Sequence, residues 1–367
     1  MRSDLFYKEK RALRRIFSLC VAAAGFTLVP GVCLFFLSDS LPGERSVPSL
    51  EDRVRETLLL VWVHPFGVRM PMPDCRERFE ISGCEITDDQ NRYGQADAVL
   101  IHHREISSGA APLPPEPRPP AQNWIWLNLE SPSHSSRLWE YEGIYNLTLS
   151  YRQDSDVCLP YGFLIPRALL HEVPRSRSAY PLGGGTSPSD LPRPRLVAWV
   201  VSNWSGARVA FYKLLAQHVQ VDVFGRAGEP IPPGGRRVVH LIRRYRFYLA
   251  LENSQHTDYI TEKLWNAVRG GAIPVVLGPS RKNYERFLPP EAFIHVDDFP
   301  TVQELAQYLL KVKDSPSLIQ MHLSWRRDYS VYIPSMWDEH FCTACRAAQK
   351  NHGRINVVNN LSKWFYS

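Results

Sequence analysis

The chain has 367 residues, 44% hydrophobic and 22% charged, enough for two α/β domains with full cores behind an anchor. Its formal charge of +6 sits mostly at one end: Arg2, Lys8, Lys10, Arg11, Arg14 and Arg15 against Asp4 and Glu9 supply +4 of it. The remainder is near balance, which excludes a broad basic surface for nucleic acid and leaves a basic tail beside an apolar run.

That run is Ile16–Leu37, uncharged throughout and long enough to span about 30 Å of hydrocarbon as a helix. Pro30 and Gly31 interrupt it and no small-residue cleavage site closes it, so it reads as a signal-anchor rather than a cleaved leader. The basic side stays cytosolic, giving a single-pass type II topology. Residues 1–15 form the tail, 16–37 the transmembrane span and 38–56 a polar stem, and the rest is lumenal. Cys75, Cys84, Cys158, Cys342 and Cys345 then lie in an oxidising compartment, and the sequons at Asn146, Asn203 and Asn360 lie on the side where glycans are added.

Beyond the stem, Thr57–Val63, Ala98–His102 and Trp124–Leu129 are apolar runs suited to buried parallel strands. Pro112–Pro120 is a surface loop. Residues 175–194, rich in Ser, Gly and Pro, read as a linker. Strand–helix alternation follows: strands Leu196–Val201, Val219–Phe224, Phe247–Leu251, Ile273–Leu277 and Phe293–Val296, with helices Ala207–His218, from Thr261, and Val302–Val312. Such alternation predicts a parallel, doubly wound sheet. The expected architecture is α/β, with Rossmann-like domains at 57–174 and 195–367 facing a cleft.

The densest chemistry lies in Tyr245–Pro279. A strand ends at Glu252-Asn253, and Thr261 stands where a helix N-cap belongs, with Glu262 and Lys263 in the first turn. A helix N-terminus at the carboxyl end of a parallel strand offers free N–H groups and a favourable dipole to a diphosphate. The dipole disfavours a lysine there, so Lys263 points to an anionic ligand, against the plainer reading of a solvated surface lysine. Asn253, Tyr259 and Glu262 crowd the same loop. Asp154-Ser-Asp156 has the DxD pattern that binds Mn²⁺ beneath a nucleotide diphosphate, but it falls in the first domain, away from this loop. Asp297-Asp298 reads as a turn, and no metal site is assigned.

Cys342-Thr-Ala-Cys345 is a redox pair, a zinc half-site with Cys75 and Cys84, or half of two disulfides. The lumenal setting favours disulfides, and chain entropy favours crossed pairs over the local pairs Cys75–Cys84 and Cys342–Cys345. We expect Cys75–Cys342 with Cys84–Cys345, while the opposite crossing stays open at this level. Cys158 is the odd thiol.

The Tyr245–Pro279 block, with HHREI (102–106), NLESPSH (128–134), NLTLSYRQDSD (146–156), PYG (160–162), AWVVSN (198–203), VDVFGR (221–226) and RFLPPEAFIHVDDF (286–299), closely resembles the Golgi α-1,3-fucosyltransferases of glycosyltransferase family 10. The resemblance runs from about Leu58 to Phe365. It implies a GT-B-like fold and inverting transfer of L-fucose from GDP-β-L-fucose to the 3-OH of GlcNAc. By the same match Glu130 is the base, and Arg208 and Lys263 hold the diphosphate. Glu262 and Tyr259 contact ribose and phosphates, Tyr248, Asn253, Ser202 and Asn203 complete the donor wall, and Tyr161 reaches it from the first domain. Arg104, with Ser131 and Pro132, falls on the acceptor side, and an Arg at that position accompanies type II lactosamine chains, neutral or sialylated, on glycoproteins and glycolipids. The products implied are of the Lewis x and sialyl Lewis x type.

The resemblance also implies a Golgi membrane location, no required cofactor, GDP-fucose as a substrate and no nucleic-acid partner. Stimulation by Mn²⁺ and homodimerisation are left open by it. His64, Val68 and Leu251 depart from the family pattern, the first two on the acceptor side. The rival reading, a membrane-anchored glycan-binding protein that kept the fold and lost turnover, is opposed by an intact Glu130 and Lys263.

Overall fold

Apolar runs buried on both faces build the first sheet. In the computed structural model, which describes residues 56–172, 179–180, 193–204, 206–231, 237–354 and 356–367, its strands are β1 (Thr57–Val61), β2 (Cys84–Thr87), β3 (Ala98–His102), β4 (Asn123–Asn128), β5 (Leu147–Ser150) and β6 (Val157–Cys158). They run parallel in the order β2-β1-β3-β4-β5-β6. Short helices α1 (Cys75–Phe79) and α2 (His103–Ser107) belong to this half. The expected tail (1–15), membrane span (16–37), nearly all of the stem and most of the 175–194 linker lie outside the described residues. Among the described residues no helix is long and apolar enough to cross a membrane.

The chain leaves this sheet through β7 (Phe163–Pro166) and β8 (Ala179–Tyr180) and enters a second parallel sheet. Its strands β9 (Arg195–Val201), β10 (Val221–Gly225), β11 (Tyr245–Leu251), β12 (Ile273–Leu277) and β13 (Ile294–His295) are ordered β10-β9-β11-β12-β13. Among the described residues six helices accompany it: α3 (Ala207–Leu215), α4 (Arg237–Ile242), α5 (Glu262–Gly270), α6 (Arg281–Tyr284), α7 (Val302–Lys313) and α8 (Pro316–Leu323). The apolar stripes of α3 and α7 cover one face of the sheet, packing Phe211, Leu215, Leu305 and Leu309 on Val197, Leu249 and Val275. Leu241 and Ile242 of α4 and Leu264, Trp265 and Val268 of α5 cover the other. Helix α3 stops at Leu215 rather than at His218, and β10 begins two residues later than expected, because Ala216–Gln220 makes the connecting turn.

Gly162 of the PYG segment explains itself sterically. A Cβ there would stand 2.6 Å from Cδ2 of Trp265, so only glycine lets the connection pass against α5.

After α8 the chain forms β14 (Tyr329–Tyr332), the centre of a small antiparallel sheet ordered β7-β14-β8. It then supplies α9 (Asp338–Lys350) and α10 (Leu361–Tyr366) to the first sheet, although sequence places residues 195–367 in the second domain. Phe341, Ala344, Cys345 and Ala348 pack on Leu59, Leu100, Ile125 and Leu127. On the opposite face Leu361 and Phe365 pack on Leu60, Val99, Ile101 and Trp126. Disulfides Cys75–Cys342 and Cys84–Cys345 fasten α9 to α1 and β2, spanning 267 and 261 residues of sequence. Cys342 and Cys345, three apart on one helix, share a face and so reach neighbouring elements, and the bonds formed resolve the crossing that sequence left open. All described residues lie in one compact unit, Ser46–Ser367.

Candidate active site

The loops leaving the carboxyl ends of β4 and β11 touch. Ser254 Oγ donates to Ser131 Oγ at 2.7 Å, and Ser133 Oγ lies 2.6 Å from His256 Nε2. Behind them, the Gln153 N–H donates to the buried Asp258 carboxylate at 2.9 Å. Glu130 and the Glu252–Lys263 segment therefore belong to one site.

On the second-sheet side, Glu252 closes β11 with its carboxylate buried. It accepts from the Thr261 N–H (2.8 Å) and hydroxyl (2.9 Å), and from Lys263 Nζ (3.0 Å). Thr261 does occupy the N-cap position of α5, but its side chain does not cap the helix, because Glu252 takes its proton. Nor is Lys263 a solvated surface lysine. It is mostly buried, lies 2.7 Å from Thr261 Oγ, and has Glu262 at 3.4 Å. Burial works against its charge, but Glu252 and Glu262 outweigh it and the ammonium pKa is raised. Burial pushes Glu252 the other way, towards the neutral acid, with Lys263 opposing. Three donors converging on its oxygens are the pattern of an ionised carboxylate, so the pair stands as Glu252⁻–Lys263⁺.

Arg208, in the first turn of α3, is buried and donates to the Asn203 carbonyl. Its Nε finds no partner among the described residues. Burial lowers its pKa, and the charges of Glu252, Tyr259 and Glu262 hold it up, so the guanidinium faces the same cluster as Lys263. A buried N–H without an acceptor beside two cations is what an incoming diphosphate would satisfy. Ser202, Asn203 and Asn253 are exposed around this point, as is Glu262. Tyr248 and Tyr259 are buried instead. Tyr248 is a core residue of the second sheet, and Tyr259 reaches into the first, its ring 5.3 Å from Tyr151. Both support the donor wall rather than line it.

On the first-sheet side, Glu130 lies two residues past β4, half-buried, with its N–H on Asn128 Oδ1 at 3.1 Å. No described residue donates to its carboxylate. Tyr161 closes the floor by donating to the Leu129 carbonyl at 2.7 Å. Burial lifts the Tyr161 phenol well above its usual pKa, and Tyr259, Glu262, Glu130 and Glu252 all add to that shift, which places carboxylates from both sheets around one tyrosine.

Ser131 and Pro132, expected on the acceptor side, are both buried. The Ser131 hydroxyl is bonded to His134 Nδ1 (2.9 Å) and to Ser254, so they brace the Glu130 loop. Arg104 is exposed on α2, its guanidinium 4.7 Å from the Phe66 ring centre. Phe66 is itself held by an N–H bond to Glu105 Oε1 at 2.8 Å.

The DxD carboxylates are occupied. Asp154 pairs with Arg152 at 2.8 Å, and Asp156 accepts from the Thr148 N–H and hydroxyl at 2.8 and 2.7 Å. Asp297 and Asp298 lie in a single 3₁₀ turn capped by His295. Among the described residues no cluster of three or more potential metal ligands occurs. Of the sequons, Asn360 and Asn203 are exposed. Asn146 is buried, its Nδ2 donating to the Asn356 carbonyl at 2.7 Å, a bond that a glycan on that nitrogen would displace.

Residues 54–162 match the family described as "Fucosyltransferase, N-terminal", and residues 191–364 match "Glycosyltransferase family 10 (fucosyltransferase) C-term". The human alpha-(1,3)-fucosyltransferase 4 is 45% identical over 394 residues, covering 95% of this chain and 71% of the relative. The human 4-galactosyl-N-acetylglucosaminide 3-alpha-L-fucosyltransferase 9 is 43% identical over 321 residues, covering 86% and 84%. A crystal structure of an alpha1,3-fucosyltransferase with GDP-fucose superposes with a TM-score of 0.55 at 14% identity, covering 89% of this chain and 97% of that one, a likeness of fold that makes the architecture GT-B-like. With two family matches over most of its described length and relatives at 43% and 45% identity, this chain belongs to the α-1,3-fucosyltransferases of glycosyltransferase family 10.

Proposed function

We propose that the protein transfers L-fucose from GDP-β-L-fucose, with inversion, to the GlcNAc 3-hydroxyl of type II lactosamine chains, neutral or sialylated. The observation that carries this reading is the pairing of an unpartnered carboxylate, Glu130, with a cationic pocket made by Arg208 and Lys263. In-line displacement needs a base for the acceptor hydroxyl and positive charge for the departing diphosphate. Glu130 takes the acceptor proton. Arg208 offers a planar fork with a free N–H, and Lys263 a point charge held ready by Glu252 and Thr261. The names of the relatives support fucosyl transfer and the lactosamine acceptor. We further propose that residues 16–37 anchor the enzyme in the Golgi membrane with catalysis in the lumen, consistent with two disulfides.

The full-length chain in detergent should fucosylate N-acetyllactosamine from GDP-fucose, with the new linkage at O3 and inverted at the anomeric carbon. A panel adding sialylated lactosamine and a type I chain, with and without Mn²⁺, resolves acceptor preference and metal stimulation. Acceptor binding without turnover would establish the glycan-binding alternative.

A further inference from the structure

The segment carrying Glu130 is closed upon itself. Asn128 Oδ1 accepts the Glu130 N–H (3.1 Å), Asn128 Nδ2 donates to Ser135 Oγ (2.7 Å), and Ser135 Oγ donates to the Ser131 carbonyl (2.9 Å). These bonds give the loop a shape but not a place relative to the second sheet. Its place comes from the loop after β11. Ser254 Oγ donates to Ser131 Oγ at 2.7 Å and also lies 3.2 Å from Asn253 Oδ1.

Ser254 stands two residues past Glu252, the anchor of Lys263, and Ser131 stands one residue past Glu130. This hydrogen bond, nearer to Glu130 than the Ser133–His256 contact at 2.6 Å, links the segment holding the phosphate-facing cation to the segment holding the base. Ser131 is fully buried, so water does not compete for it. Ser131 Oγ also lies 2.9 Å from His134 Nδ1, so the latch bond continues into the Glu130 loop.

We propose that Ser254 is a positioning residue, an interlobe latch that holds the Glu130 carboxylate in register with the bound nucleotide sugar. This rests on Glu130 being the base. Proton abstraction requires heavy atoms within about 3 Å, and a misplacement of about 1 Å costs on the order of 10²-fold in rate. The latch acts on the reacting geometry and leaves the diphosphate contacts alone. Its loss should therefore lower kcat while donor affinity stays put.

Removing the hydroxyl in Ser254→Ala should lower kcat on N-acetyllactosamine roughly 10-fold, with the GDP dissociation constant and the GDP-fucose KM unchanged. Ser254→Thr, which keeps the hydroxyl, should recover most of it. Ser131→Ala breaks the same bond from the other side, and the double variant should lose no more than either single one. Full kcat in Ser254→Ala, additive losses in the double variant, or a matching rise in the GDP dissociation constant would overturn the latch. Glu130→Gln, run in parallel, separates the two readings. If it keeps turnover, the base assignment fails first; if it is inactive while Ser254→Ala is wild-type, the latch alone fails.

Discussion

Glu252 and Lys263 form a buried ion pair at 3.0 Å, at the point where the second sheet presents its cations. The carboxylate is 1% exposed and the ammonium 19%, so neither has full solvent to fall back on. Substituting Glu252→Gln keeps an acceptor for Thr261 but removes the nearer, buried counter-charge of Lys263, leaving only the exposed Glu262 at 3.4 Å. We expect a loss of about 1–3 kcal/mol in urea unfolding, the usual cost of disrupting a partly buried charge-assisted bond. Saturating GDP should recover part of that loss beyond its effect on the wild type, because the diphosphate becomes the new counter-charge. Equal GDP stabilisation of both proteins would refute the pairing.

Glu130→Gln should leave GDP affinity intact and lower kcat by about 10²–10⁴-fold, the range of a general-base contribution. Isothermal titration with GDP and initial rates on lactosamine decide it.

Arg208→Ala and Lys263→Ala should each weaken GDP binding by about 1.5–3 kcal/mol, the worth of a charge-assisted hydrogen bond. Arg208→Lys should recover little, since an ammonium cannot reproduce the fork. An unchanged GDP dissociation constant in either alanine variant removes that residue from the donor site.

Stability should fall with acid before the carboxylates titrate. Burial lowers the pKa of His340 to about 3, helped by His102, and that of His103 to about 4, and both Nδ1 atoms are buried with no partner among the described residues. In the unfolded chain each protonates near its ordinary value of about 6.5. The folded pKa values are depressed, so between pH 6.5 and 4 the unfolded state binds protons that the native state refuses, and stability is lost as pH falls. Each should contribute about 1.4 kcal/mol per pH unit in that window. Urea denaturation at pH 7, 6 and 5 measures the slope, and His340→Gln should lower it by about 1.4 kcal/mol per pH unit.

Much of the fold was legible because β1, β3, β4, β9, β11 and β12 are continuous apolar runs, and a run buried on both faces needs no context. Strand β2 escaped notice because Cys-Glu-Ile-Thr is a half-exposed edge. The return of the C-terminus to the first sheet was hinted at only by the cysteines. The buried residues of α9 include Glu339, His340 and Thr343, which blur the apolar stripe that would have announced it. In the site, Lys263 stood out against the helix dipole, whereas its partner Glu252, eleven residues earlier, looked like an ordinary strand end. Arg208 was legible through motif likeness alone. The burial of Ser131, Pro132 and Tyr259 could not be read at all, since it depends on the two lobes meeting.

The first sheet is held between α9 and α10, the last two helices of the chain. While the protein is being synthesised, the lobe that carries Glu130 is translated early and must wait, with one face of its sheet lacking α9 and the other covered only by its own Ile106, Leu138 and Tyr141, until residues 338–367 leave the ribosome. The second lobe, contiguous in sequence, has no such delay. Assembly is thus ordered: the nucleotide half matures first, and the half bearing the base is completed afterwards, with disulfide formation sealing the step. A chaperone or oxidoreductase that attends this enzyme should find its client in that interval, and a truncation removing α10 should arrest the chain there.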